Sequence, residues 1–342
     1  MGHPAHFHLF KNTILLLKKE GHEVKILIKK KDILENLLKN QGWDHVNINP
    51  EERGDSKFSI AKALLKREFE FLKIARNFKP QLMAGTSAEI THIGKLLGIP
   101  SIVVNEDDAA VVPLFAKIAY PMATKILAPD CCDCGKWNSK KHSYNSYHEL
   151  AYLHPNNFIV NAEKVKAYIQ EENFFIMRFA KLTAHHDEGR KGIDLIIAKK
   201  IISILEPHGR VYITSERALE PELENYRISI NPLEIHHAMA MAKLYIGDSQ
   251  TMAAEAAVLG TPAIRFNDFV GEIGYLEELE HRYALTYGIR TSNPDNLYKL
   301  LSDLVNNPNL SSEWKKKKEK MLGEKIDFAE YMKTLFIESA KK

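Results

Sequence analysis

Leu244-Tyr245-Ile246-Gly247-Asp248-Ser249-Gln250-Thr251-Met252-Ala253-Ala254-Glu255-Ala256, closed by Leu259-Gly260-Thr261-Pro262, reads as an apolar strand, a small polar loop, a helix and a turn into the next strand. A strand that ends at Ile246 and a helix that starts near Thr251 leave free backbone N–H groups and the positive end of the helix dipole facing the loop. That is a place for a phosphate. Glu255 lies about one helical turn further in, where its carboxylate can accept hydrogen bonds from two vicinal ribose hydroxyls while the loop amides hold a diphosphate. The alternative is that Asp248 or Ser249 caps the helix and Glu255 is a solvated helix charge.

Working outward, the same alternation runs through the second half of the chain. Strands are expected at Phe174–Phe179, Val211–Thr214, Leu244–Ile246, Pro262–Arg265 and Leu285–Tyr287, with helices at 193–205, 234–242, 252–259, 275–281 and 295–306 between them. The first half repeats the theme. Helices are expected over Phe7–Lys19, Ile33–Gln41, Ile60–Phe78, Glu89–Leu97 and near Leu114–Tyr120, and strands over Glu23–Ile28, Gln81–Ala84, Ser101–Asn105 and Lys125–Ala128. Such βα alternation implies an α/β fold with parallel sheets. The polar, aromatic stretch from Pro129 to Asn157 reads as a long connection. The expected domains are therefore 1–157 and 158–320, two doubly wound Rossmann-type units, with the helix-rich segment 321–342 expected to return to the first. In a doubly wound domain the first strand is central and feeds the loop before the first helix. Here Gly2-His3-Pro4 reads as that loop, so an upstream apolar strand of about 6–8 residues is expected to be encoded in frame.

Composition narrows the function classes. Of 342 residues, 47 are Lys or Arg and 44 are Asp or Glu, a formal charge of +3 that gives no footprint for nucleic acid. The three cysteines, Cys131, Cys132 and Cys134, are bunched and lack a second Cys/His pair at zinc spacing, so unliganded thiols and a reducing cytoplasm are expected. The apolar runs fall short of the ~20 residues of a membrane span. Lys62–Lys79 is a basic amphipathic helix, suited either to packing on a sheet or to peripheral contact with anionic lipid at the inner face of the membrane.

Several segments resemble known families. The Asp248–Pro262 block is similar to the donor-nucleotide site of GT-B glycosyltransferases and of nonhydrolysing UDP-N-acetylglucosamine 2-epimerases, whose pattern is Asp-Ser-Gly-Gly, two Glu, then Leu-Gly-x-Pro. The resemblance implies diphosphate contacts from Ser249, Gln250 and Thr251 and a ribose contact from Glu255. Gln250 and Thr251 replace the two glycines. Gly2-His3-Pro4-Ala5-His6, Gly21-His22-Glu23-Val24, Tyr147 to Pro155, Ala184-His185-His186-Asp187 and the Asp248–Pro262 block together resemble a GT-B-like family known by a domain-of-unknown-function label. That implies two Rossmann-type domains facing a cleft, and a nucleotide sugar, uridine-linked by resemblance, as substrate with no further cofactor and no metal.

The remaining candidates follow the strands. Leu182 to Gly189 comes after the first strand of the second domain; His185 and His186 there can donate to a diphosphate or exchange a proton, or lie in a solvated loop. The segment is similar to the epimerases' Thr-x-His-Arg-Arg-Glu-Asn, which places His185 on their functional histidine. His3 and His6 can contact substrate beside a small Gly/Ala loop, while His6 can equally cap the first helix. Glu106, in Asn105-Glu106-Asp107-Asp108, falls where the epimerases have the first acid of His-x-Glu-Ala-Gly and is the candidate general base; capping of the next helix is the alternative. The epimerases' Gly-Asp-Thr is here Gly85-Thr86-Ser87, which removes an acid but leaves Thr86 and Ser87 at a helix start that can point at a ligand. Tyr147 and His148 can stack on a sugar or hydrogen-bond it, or form a structural clamp. The expected function is a nucleotide-sugar-dependent glycosyltransferase of cell-envelope or exopolysaccharide synthesis, with a saccharide or lipid-linked acceptor. The rivals are a nucleotide-sugar 2-epimerase and a non-catalytic nucleotide-sugar binder.

Overall fold

The computed structural model describes residues 1–29, 33–48, 57–180 and 192–341, and within the helix that opens at Lys57 it describes side chains from Leu65 onward. The chain divides into two compact units, residues 1–157 with 326–342, and residues 158–325. Both are α/β with parallel strands throughout.

In the first unit, β1 (Ile26–Ile28) and β2 (His45–Asn47) form a two-stranded sheet. A separate sheet runs in the order β3 (Met83–Gly85), β4 (Ser101–Val104), β5 (Lys125–Pro129) and β6 (Lys141–Tyr144). Its helices are α1 (Pro4–Lys19), α2 (Leu34–Asn40), α3 (Lys57–Phe78), α4 (Ala88–Leu97), α5 (Pro113–Ala119) and α6 (Leu150–Leu153). All four residues of β4 are buried, as expected of a strand covered on both faces. Val103, Ile126 and Met83 meet Phe71, Ile90, Ile93, Ala116 and Tyr120 in one apolar core. Gly98, in the left-handed conformation at φ 68°, ends α4.

The second unit holds α7 (Ala162–Lys166), β7 (Phe174–Phe179), α8 (Leu195–Leu205), β8 (Arg210–Ser215), α9 (Ile235–Met241), β9 (Leu244–Gly247) and α10 (Gln250–Leu259). It continues with β10 (Ala263–Phe266), α11 (Gly274–His281), β11 (Thr286–Ile289), α12 (Pro294–Val305) and α13 (Leu310–Glu324). The strand order is β11-β10-β9-β7-β8, so the chain reverses its direction of travel across the sheet between β7 and β9. In open parallel sheets the carboxyl ends of the strands at such a switch point frame the ligand crevice. The last helix, α14 (Phe328–Ala340), belongs to the first unit and packs on α1 and α6.

The connection expected from Pro129 to Asn157 is corrected: it carries β6, a 3-10 turn at Gly135–Lys140 and α6. Lys141-His142-Ser143-Tyr144 has one buried residue and sits at the sheet edge, so it lacks the apolar pattern that marks inner strands. The short strand β2 escapes for the same reason. No helix among the described residues is long and apolar enough to cross a membrane.

Candidate functional site

In the second unit, β9 ends at Gly247 and delivers Asp248 and Ser249 to the switch point beside the end of β7. Ser249 is the cap of α10, its hydroxyl accepting from Met252 N. Thr251 and Gln250 occupy the first turn, where backbone amides have no intrahelical acceptor. Asp248 does not cap the helix. It is 3 % exposed and accepts from Ala180 N at 2.6 Å and from Ile193 N at 3.3 Å, holding together the two backbone positions that flank residues 181–191. Burial pushes its carboxyl up to about 6 against the pull of those two amides. Gly192 makes the approach possible, since a Cβ there would meet Asp248 Oδ2 at 2.4 Å.

Glu255 is 5 % exposed, which corrects the reading of a solvated helix charge. Its Oε1 lies 3.0 Å from His236 Nε2, and His236 on α9 is itself buried. A carboxylate buried one turn behind a helix N-terminus and oriented by an imidazole is arranged for directional hydrogen bonding. Sequence reasoning missed His236; its signal was a histidine pair, His236-His237, inside a predicted helix whose Ala238 and Met239 are apolar. The predicted residues His185 and His186 lie outside the described residues.

In the first unit the predicted residues gather at the carboxyl ends of β3 and β4. His3 is the cap of α1, Nδ1 accepting from Ala5 N at 3.2 Å, so the capping role considered for His6 belongs to His3. His6 Nδ1 accepts from Gly2 N at 3.1 Å and lies 2.8 Å from Thr86 Oγ1. An Nδ1 that accepts from a backbone amide carries no proton, so the neutral ring holds its proton on Nε2. Burial, then the charges of the Met1 ammonium, His3, His148 and Lys29, keep the His6 pKa well below the usual value. At neutral pH His6 is thus a hydrogen-bond donor through Nε2. Glu106 Oε2 lies 3.3 Å from His148 Nδ1, and burial lowers the His148 pKa to about 3, leaving a neutral imidazole beside the carboxylate. Glu106 does not cap α5, whose N-cap is Val112 without a side-chain bond. Ser87 holds the N-cap position of α4, also without a side-chain bond.

Tyr147 is corrected. It is fully buried, as are Leu150, Ala151 and Leu153, and it has no face to offer a sugar. The segment clamps the interior of the first unit, where the His148 ring stacks on Phe328 at 5.6 Å. Cys131, Cys132 and Cys134 are free thiols, and Cys132 donates to the Glu106 carbonyl at 2.9 Å, fixing the turn that carries the acid. Among the described residues no cluster of His, Cys, Asp and Glu is shaped to hold a metal.

The fold is shared with solved structures at low sequence identity. UDP-GlcNAc 2-epimerase from Neisseria meningitidis, solved bound to UDP-GlcNAc, superposes with a TM-score of 0.60 at 15 % identity over 94 % of this chain and 98 % of its own. The spinosyn forosaminyltransferase gives a TM-score of 0.63 at 12 % identity over 98 % and 97 %. The spinosyn rhamnosyltransferase complexed with thymidine diphosphate gives 0.63 at 13 % over 97 % of each chain. No curated protein matches the chain in sequence. The architecture is that of the GT-B glycosyltransferases and the UDP-GlcNAc 2-epimerases, and by the match of its residues 1–269 the chain belongs to the family described as protein of unknown function (DUF354).

Proposed function

We propose that the protein is a GT-B-type glycosyltransferase that uses a nucleotide sugar, uridine-linked in our reading, to build a cell-envelope or exopolysaccharide product in the cytoplasm. The observation that carries this is the β9–α10 unit, with its open helix N-terminus at Ser249, Gln250 and Thr251 and its buried, His236-paired Glu255. A diphosphate at that N-terminus meets backbone donors and the helix dipole, and Glu255 accepts from the ribose hydroxyls. When the acceptor oxygen bonds to the anomeric carbon and the bond to the diphosphate breaks, the diphosphate gains negative charge, which the same donors stabilise. The acceptor's proton goes to Glu106, and His6 donates through Nε2. His185 and His186 remain proposed diphosphate or proton-transfer partners, and His3, Thr86, Ser87 and His148 proposed acceptor-side contacts. Exposed Leu65 and Phe69 on α3, next to Lys66 and Lys73, support peripheral contact with an anionic membrane carrying a lipid-linked acceptor.

Calorimetric titration with UDP, UDP-GlcNAc, GDP-mannose and ADP tests the donor site. One nucleotide is expected to bind, and Glu255→Ala to weaken it by about 1–3 kcal/mol, the scale of a lost charged hydrogen bond. Failure of every nucleotide to bind would sink the proposal. Incubation with donor alone separates the chemistries, since an epimerised sugar in the absence of any acceptor would replace transfer with epimerisation. Glu106→Gln is expected to cut turnover by roughly 10²–10⁴-fold with nucleotide affinity unchanged; a protein that only binds shows no turnover to lose.

A further inference from the structure

Cys131 and Cys132 follow β5, and Glu106 follows β4; the two strands are parallel neighbours, so their loops leave the sheet at the same end. Both cysteines are free thiols, Cys132 buried and Cys131 half-buried. Their side chains are hydrogen-bonded to each other, and that bond, then burial, raises the Cys132 pKa, so Cys132 rests as the thiol. Two sulfurs on consecutive residues are thus in contact, one within reach of solvent and the other enclosed. Lys141 Nζ donates to Asp130 O at 3.1 Å and to Cys132 O at 2.5 Å, which fixes the backbone on both sides of Cys131.

The Cys132 thiol also holds the neighbouring loop, donating to the Glu106 carbonyl at 2.9 Å. On one side of Glu106, Asp108 Oδ1 accepts from Asp133 N at 2.5 Å and Ala109 N donates to Asp133 O at 2.8 Å. On the other, Asn105 donates through its backbone N–H to Leu127 O at 3.0 Å and through Nδ2 to Tyr120 Oη at 2.9 Å. Glu106 therefore sits between anchored neighbours while a sulfur holds its own carbonyl. Its Oε2 lies 3.3 Å from His148 Nδ1, so a displaced turn is felt at the carboxylate.

We propose that Cys131 and Cys132 form a reversible oxidation site for a peroxide, and that closure of their disulfide releases the turn that carries Glu106. The site rests on the thiols alone; its effect on turnover rests on the reading of Glu106 as the base. The Cys131 sulfur takes one peroxide oxygen, the O–O bond breaks, and water and a sulfenic acid result. The Cys132 sulfur then attacks the Cys131 sulfur, the S–O bond breaks, and the Cys132 proton leaves with the hydroxyl as a second water. Two thiols lose two electrons and one peroxide becomes two waters. The S–H that donated to Glu106 O is gone from the product. Consecutive Cα atoms stand about 3.8 Å apart, less than the usual disulfide span of about 4.4–6.8 Å. The bond is therefore strained and easily reduced, which makes the mark reversible.

The test treats the full chain with stoichiometric hydrogen peroxide, then alkylates it in denaturant and maps the cysteines by peptide mass spectrometry. The expected product has lost two hydrogens, with Cys134 the one alkylated cysteine, and dithiothreitol restores all three thiols. In the same samples turnover is expected to fall by about 10²-fold, the scale of a roughly 1 Å misplacement, with nucleotide affinity unchanged, and the ¹⁵N resonances of the His148 ring to shift. Both changes reverse on reduction. Cys131→Ser, which keeps the Cys132 bond to Glu106, is expected to retain turnover and to resist peroxide. Three alkylatable thiols after treatment, sulfinic acid at Cys131 without a disulfide, or a disulfide made with Cys134 would each overturn the site. A Cys131–Cys132 disulfide that leaves the His148 resonances in place would overturn the link to Glu106. Should no form of the protein transfer a sugar, the mass and His148 readouts still decide, so failure of the glycosyltransferase reading is distinguished from failure of this one.

Discussion

Glu89 is a carboxylate buried to 1 % exposure between two cations, Lys29 Nζ at 2.9 Å and Arg67 Nε at 3.0 Å. Burial alone would raise its pKa, but the Lys29 charge and the hydrogen bonds from Lys29 and Arg67 prevail and hold it at about 2. Because the folded value lies below the unfolded one, the stabilisation is complete above about pH 4.5 and is lost as the pH falls toward 2, an amount of about 3 kcal/mol. Glu89→Gln should cost about that much at pH 7 and abolish the acid-side loss, read from urea unfolding followed through Trp43 and Trp137. Asp248 has the opposite sign. Its folded pKa is raised to about 6, so it favours folding while protonated below about pH 4, and that advantage of about 3 kcal/mol disappears as the pH rises to 6. The stability difference between wild type and Asp248→Asn should shift by this amount between pH 4 and pH 7, followed through Trp314, the second unit's tryptophan; no shift would mean the carboxylate is not desolvated. The sequence showed where such residues lie but not which way they point. Glu255 was identified by its spacing from Ser249, whereas its partner His236 is 19 positions away and meets it only because α9 and α10 pack together. Tyr147 reads as a polar-loop aromatic, and only its complete burial shows it to be core.

The elements were readable in proportion to how strongly burial constrains their composition. The strand at Phe174–Phe179 was read to the residue because it lies in mid-sheet and five of its six positions are buried. Edge strands with partly exposed faces, β2 and β6, carry no such record. Helix ends depend on single side chains. Asp327 caps α14 by accepting from Ala329 N at 3.0 Å and Glu330 N at 3.4 Å, and also receives Asn156 and Asn157 Nδ2. Asp327→Ala should lower the stability of the first unit by about 1–2 kcal/mol, with the loss confined to that unit in a chemical denaturation scan. A loss of equal size in the second unit would show that the two unfold together.

Each unit has its own core, but only the second is a single continuous segment of chain. Residues 158–325 expressed alone are expected to fold and to bind the nucleotide with the affinity of the full chain, since Ser249, Glu255, His236 and the Asp248 clasp all lie within them. Removal of residues 326–342 should instead unfold the first unit. It strips α14 from α1, where Thr13 Oγ1 donates to Ala329 O, and removes the Phe328 ring stacked 4.0 Å from Tyr144. The tandem α/β organisation could be read from alternating segments, while the return of the last helix depends on packing between positions more than 300 residues apart. The divided sheet has a consequence for handling the protein. Among the described residues β1 and β3 each have a strand partner on one side only, and such edges recruit extended chains, including a neighbour's. Soluble yield should therefore fall as expression level and temperature rise, and the aggregates should carry the amide-I signature of intermolecular β-structure.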